Sequence, residues 1–218
     1  ASHSVSDHAM ALMFSCTRGM WNTQNQLIEK FAAPPVEDIF ELHNKTLGII
    51  GLGRIGSELS KKAAPLFKNI IAADPYKSQA YFNRLLVKKV TLKTLFENSD
   101  VISINCNLTK ETMHILNSET FKLLQKRPVI INTSRGETID EKALLEALQN
   151  NKIHSAGLDV FENEPTNEKQ QSLIDHPRTI CTGHYAWYSD RAAQELQKRA
   201  AQNLVNFLNG KVVEDELK

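Results

Sequence analysis

From Lys45 onward the chain alternates short apolar runs with amphipathic stretches, and no other feature constrains its fold as strongly. Residues 46–50 read as a buried strand and 54–67 as a helix. Residues 70–73 read as a second strand, closed by a turn at Asp74-Pro75. A short edge strand over 87–90 and a short helix over 92–97 follow. Further strands are expected at 101–105, 129–132, 155–158 and 179–181. A helix over 140–150 carries acids near its start, where the helix dipole favours them. Residues 189–208 read as a long amphipathic helix ending at Asn209-Gly210. Strand–helix alternation of this kind predicts an α/β fold, a doubly wound and mostly parallel sheet covered on both faces. Any ligand should then sit at the carboxyl ends of the strands. Ahead of this region a first helix is expected over 6–30, capped by Ser6 or Asp7, and Pro34-Pro35 breaks the chain before the main domain.

The first strand runs into Gly51-Leu52-Gly53-Arg54-Ile55-Gly56, a GxGxxG pattern that opens the next helix. Alone the pattern is weak; its place between a strand and a helix makes it a phosphate loop. Gly51 permits the tight turn, Gly53 lets the backbone approach a pyrophosphate, and Gly56 lets helix and strand pack closely. The helix amino terminus offers free N–H groups and partial positive charge to the phosphates. Asp74 lies 18 residues past Gly56, at the end of the second strand. That is near the offset of about 20 residues for an acid that accepts from a ribose diol. A carboxylate there repels a 2′-phosphate, which favours NAD over NADP as cofactor. Aspartate before proline also suits a plain turn.

Three later segments are unusual for simple core. INTSRG at 131–136 places Arg135 in a small-residue loop after a strand. GLDVFENEP at 157–165 places Asp159 at a strand end and Glu164 before a proline. CTGHYAWY at 181–188 places His184 in a loop after another strand. Taken singly, each charged residue could be an ordinary solvated one.

In this order and spacing the motifs resemble the D-isomer-specific 2-hydroxyacid dehydrogenases, and the likeness runs from the first helix through GLGRIG, ADP, NTSRG, AGLDVFENEP and HYAW. The resemblance implies a Rossmann-like domain and a hydride transfer between NAD and a small 2-hydroxy or 2-oxo acid. It implies His184 as general acid/base, Glu164 as its carboxylate partner and Arg135 as the clamp on the substrate's carboxylate and carbonyl. Asp159 would accept from the nicotinamide carboxamide. Arg54, Ile55 and Asp74 would meet the pyrophosphate and adenosine, while Cys106, Thr133 and Ser134 would line the cofactor. The Ala-Trp-Tyr-Ser ending of the last motif also resembles the carboxy-terminal-binding-protein branch, so an NAD-sensing corepressor-like binding protein on the same scaffold is the alternative. A different Rossmann enzyme, such as one acting on nucleotide sugars, is a third reading; the commonest short-chain version is disfavoured because no Tyr-x-x-x-Lys pair accompanies the motifs.

The family's members carry further sequence before this point, folding with the far end of the chain into a substrate domain. The expected division is therefore 1–35 as a linker and dimerisation helix region, 36–188 as the dinucleotide-binding domain, and 189–218 as a helix returning toward a substrate domain mostly missing here. On that basis the chain alone binds NAD but turns substrate over poorly. It opens on Ala1 in a polar stretch, which suggests a piece of a longer protein or a processed one. A homodimer is implied by the resemblance; Met10, Leu12, Met13, Phe14 and Trp21 could face the second copy, or pack on the chain's own core. Two positions depart from the family: Gly183 stands where proline usually precedes the histidine, loosening that loop, and Asn107 replaces another common proline.

The net charge of +1 gives no push toward nucleic acid or membrane, and no apolar run approaches the roughly 20 residues needed to span a bilayer. Three cysteines without a CxxC pair argue against a disulfide framework or a metal site and fit a reducing, cytoplasmic compartment. Trp187 and Tyr188 read as packing or interface residues, and His3, His8, His43, His114, His154 and His176 as surface or capping residues.

Overall fold

The computed structural model describes residues 2–20 and 35–213. Seven strands make one sheet: β1 (Thr46–Ile50), β2 (Asn69–Ala73), β3 (Lys88–Lys89), β4 (Val101–Ile104), β5 (Val129–Asn132), β6 (Ser155–Leu158) and β7 (Thr179–Cys181). The spatial order is β3-β2-β1-β4-β5-β6-β7, and every pair is parallel. Because the chain winds outward from β1 in one direction and then from β4 in the other, the strand ends of β1 and β4 diverge and open a crevice between them.

The helices are α1 (Ser2–Thr17), α2 (Arg54–Ala63), α3 (Gln79–Arg84), α4 (Leu92–Asn98), α5 (Ser118–Lys122), α6 (Glu141–Gln149), α7 (Glu168–Ile174) and α8 (Asp190–Leu208). They divide the core into two layers. On one face Leu47, Ile49, Val129 and Ile131 pack with Met13, Leu59 and Phe82 from α1, α2 and α3. On the other, Ile102, Ile104 and Ile130 pack with Leu95, Phe96, Leu144 and Leu173 from α4, α6 and α7. Alternate strand residues feed opposite layers, as the two-residue period of a strand requires.

The expected strands stand where the sequence places them, within a residue or two at each end. The first helix differs. It begins at Ser2, four residues early, so Ser6 lies inside it; the Ser6 hydroxyl donates to His3 O, and Lys62 Nζ donates to both Ser6 Oγ and Asp7 Oδ1. It stops at Thr17 rather than running on. Gly19 takes the left-handed conformation, φ 63°, and Met20 N bonds back to Ser15 O, a glycine C-cap. The remainder of the expected helix, 21–30, lies outside the described residues, as do Trp21 and Pro34. Met10, Leu12 and Met13 are buried in the chain's own core, whereas Phe14 is exposed.

Candidate active site

The site grows from the turn between β1 and α2. Gly51 sits at φ 87°, and a Cβ there would fall 2.7 Å from Cys106 N. At Gly56 a Cβ would come within 2.2 Å of Gly51 O, so the helix can lie this close to the strand only without a side chain. Around Gly53 a Cβ would meet nothing within 4 Å, so the backbone there is open to an approaching group. No side chain caps this end of α2, whereas Ser78, Thr91, Asn117, Asp140, Asn167 and Ser189 each cap the helix that follows them. The bare N–H groups and the dipole of α2 thus point at open space.

Asp74 closes β2, buried beside that turn. One carboxylate oxygen accepts from Leu52 N and the other from Tyr76 N, both at 2.9 Å. These bonds fix the carboxylate while leaving each oxygen a lone pair. The carboxylate lines a cavity of about 360 Å³ with Gly51, Gly53, Asn105, Cys106 and Asn107. A second cavity, of about 450 Å³, shares Asn105, Cys106 and Asn107 and adds Val5, Ile55, Thr133, Ser134, Arg135, Asp159, His184 and Trp187. The two therefore form one crevice over the ends of β1 and β4, each half within the usual size range of small-molecule sites. Burial pushes the Cys106 thiol on its floor up to about 11, so this group stays protonated at neutral pH.

Arg135 enters this crevice because Gly136 lets its loop press against the next one; a Cβ on Gly136 would strike the Phe161 carbonyl carbon at 1.9 Å. Arg135 is exposed and spends one donor on Ser134 O at 2.7 Å. Asn132, below it, donates to Arg135 O at 3.0 Å and accepts from the Ser134 hydroxyl at 2.9 Å, which shapes the loop.

Asp159 is 1% exposed and organises the loop that carries the histidine. Its Oδ1 accepts from the Thr182 hydroxyl at 2.5 Å and from Tyr185 N at 3.1 Å, and its Oδ2 accepts from Ala186 N at 2.9 Å. His184 N bonds Asp159 O at 2.8 Å. These contacts hold His184 at φ 55°, a conformation that costs a non-glycine residue about 1–3 kcal/mol and persists only where neighbours enforce it. Gly183 is outside the left-handed region and a Cβ there would meet open space, so the looseness expected from this glycine is offset by the bonds to Asp159.

The His184 ring bonds Glu164 through Nδ1 and Oε2, and Glu164 Oε1 accepts from Phe161 N at 2.9 Å. A carboxylate accepts, so Nδ1 carries the hydrogen and Nε2 is left to exchange a proton. Glu164 borders a neighbouring cavity that also includes His184; the imidazole stands between the two spaces.

Among the expected residues, Gly51, Gly53, Ile55, Asp74, Cys106, Thr133, Ser134, Arg135, Asp159 and His184 border the crevice. Gly56 lies beneath the turn, and Arg54 is exposed on the first turn of α2. Further residues in or behind this wall were not anticipated. Trp187, expected only to pack or face a partner, stands in the same wall as His184. Val5 and Asn105 line the crevice too, and His8, expected at the surface, touches Asp159 from behind because a helical turn from Val5 carries it inward. His154, also expected at the surface, is 3% exposed beneath the sheet.

Residues 10–186 match the family described as D-isomer specific 2-hydroxyacid dehydrogenase, NAD binding domain. The chain belongs to that family. It is 39% identical over 203 residues to a hydroxypyruvate reductase of Thermotoga maritima, covering 93% of the chain and 64% of that relative. It is 38% identical over 170 residues to a D-3-phosphoglycerate dehydrogenase of Bacillus subtilis, covering 78% of the chain and 32% of that relative. It thus spans less than two thirds of the length of either. The apo D-lactate dehydrogenase of Escherichia coli superposes with a TM-score of 0.87 at 35% identity, covering 100% of the chain and 68% of that structure. The Aquifex aeolicus D-lactate dehydrogenase, complexed with NAD and lactic acid, gives 0.88 at 27%, covering 96% and 67%.

The residues of this NAD-binding domain fit the dinucleotide for which the family is named. Two polar atoms of residues that border the crevice, Thr133 Oγ1 and Asn105 Oδ1, are buried with no hydrogen-bond partner among the described residues. A buried polar atom left so costs about 1–3 kcal/mol, which a bound polar ligand relieves. The uncapped α2 terminus suits a diphosphate, and the free lone pairs of Asp74 suit a diol.

Proposed function

We propose that this domain serves an oxidoreductase that moves a hydride between NAD and a small D-2-hydroxy or 2-oxo acid. The carrying observation is that Arg135, Asp159 and His184 border one cavity, which continues over the glycine turn to Asp74. In this reading Gly51, Gly53 and the amides of Arg54 and Ile55 hold the pyrophosphate, with Gly56 allowing the close helix. Asp74 takes the ribose diol, which selects NAD over NADP. Cys106, Thr133 and Ser134 line the cofactor, and Asp159 Oδ2 accepts from the carboxamide.

Bound nicotinamide supplies or accepts the hydride. Arg135 binds the substrate carboxylate with its planar donor fork and draws charge from the carbonyl oxygen. His184 holds at Nε2 the proton that this oxygen gains on reduction, or takes it on oxidation. Glu164 keeps the ring in the Nδ1–H form and offsets the charge that the ring acquires.

Residues 36–188 form the dinucleotide-binding part of this reading, 1–35 the linker and dimerisation region, and 189–218 the return toward a substrate domain. Exposed Leu204, Phe207 and Leu208 on α8 supply an apolar face for that contact. Phe14, exposed on α1, is the apolar side chain proposed to face a second copy in a homodimer. Among the described residues no helix is long and apolar enough to cross a membrane; the cytoplasm is proposed from the cysteine count. The retained Arg135, Glu164 and His184 favour an enzyme over a binding protein. The test is a panel of 2-oxo acids with NADH on the full-length protein. We expect turnover of at least one, and His184→Ala to lower kcat by about 10²–10⁴-fold. Near-unchanged turnover in the variant would reject the assigned role.

A further inference from the structure

Helix α1 brings His8 against the rear of Asp159. His8 Nε2 lies 2.9 Å from Thr182 Oγ1 and 3.5 Å from Asp159 Oδ1. The Thr182 hydroxyl has one hydrogen and donates it to Asp159 Oδ1. Toward His8 it can only accept, so His8 Nε2 must be the donor. The bonds run one way, from His8 through Thr182 to Asp159. Tyr185 N fills the rest of Oδ1, while Oδ2 receives, among the described residues, only Ala186 N and keeps a lone pair. The His8 ring also packs edge-on against Tyr185, with centroids 5.2 Å apart. The His8 side chain is 17% exposed and that of Asp159 1%, so water competes little for these bonds.

We propose that His8 is a positioning residue. Its Nε2–H, acting through Thr182, fixes the Asp159 carboxylate so that Oδ2 is presented to the crevice. The same bonds hold the 182–186 turn that carries His184. This rests on the reading of Asp159 as the acceptor for the nicotinamide carboxamide. Loss of His8 should therefore weaken recognition of that one group and not of the nucleotide as a whole.

The test titrates the 218-residue chain calorimetrically with NAD+, with its 3-acetylpyridine analogue, which lacks the carboxamide N–H donors, and with ADP-ribose, which lacks the ring altogether. The unsubstituted chain should bind NAD+ about threefold to tenfold tighter than the analogue, the effect of one hydrogen bond. His8→Leu should bring that ratio to about one with ADP-ribose affinity unchanged. His8→Gln, which keeps an N–H donor, should recover it. Thr182→Val breaks the relay from the other side and should repeat the loss, so a poorly folding His8→Leu leaves the question answerable. An unchanged ratio in His8→Leu and Thr182→Val overturns the proposal, as does equal weakening of all three ligands. Binding without discrimination in the unsubstituted chain rejects the role of Asp159. No binding of either NAD+ or ADP-ribose rejects the NAD reading itself.

Discussion

His154 is an imidazole held under the sheet, its Nδ1 2.8 Å from Ser155 Oγ and its ring edge-on to Phe40 at 5.2 Å. Burial first, and the nearby Arg127 charge second, push its pKa down to about 4 from 6.5. Between those values the unfolded chain binds a proton that the folded chain refuses, so stability rises with pH across this window. The contribution is fully present above about pH 6.5 and is lost as pH falls toward about 4. Urea midpoints at pH 7 and pH 4.5 check this: His154→Gln should narrow the gap between the two, and an unchanged gap would count against it. Neither His154 nor His8 was legible as anything but a surface or capping residue. The contacts that bury them come from far along the chain, Thr182 being 174 residues from His8 and Phe40 lying in another segment from His154, and no local pattern announces them. Arg135, Glu164 and His184 were legible only because five motifs fall in one order.

At the scale of elements, the β1–α2 junction shows how packing overrides propensity. Alanine favours a helix over glycine by about 1 kcal/mol, which on propensity alone makes Gly56→Ala stabilising. Here the added carbon would meet Gly51 O, a backbone atom with little room to yield, at 2.2 Å. Overpacking of that kind costs about 1–3 kcal/mol and outweighs the gain. We expect Gly56→Ala to lower the urea midpoint and weaken NADH binding; a more stable variant with full affinity would show that the contact relaxes freely. The strands were legible because apolar runs in a parallel sheet are buried on both faces. Helices α3, α5 and α7 were not. At 6, 5 and 7 residues they display at most a weak period. Their available signals were the caps at Ser78, Asn117 and Asn167, with capping boxes at the latter two.

For the whole molecule, the reversal of strand order at β1 and β4 gathers residues from widely separated chain segments into one crevice. The sequence rhythm predicted that sheet, and the glycine loop fixed which strand end matters, but which side chains cross from α1 into the site depends on how α1 packs. Gly157 shows the reason: a Cβ there would come within 2.9 Å of Leu12 Cβ, so α1 lies close over β6, carrying Val5 and His8 to the back of the active wall. The most direct test is a crystal structure of the chain with NADH. The account predicts the pyrophosphate at the amino end of α2 and the nicotinamide between Asp159 and His184. A dinucleotide bound elsewhere, or one whose ring lies away from His184 and Arg135, would contradict it.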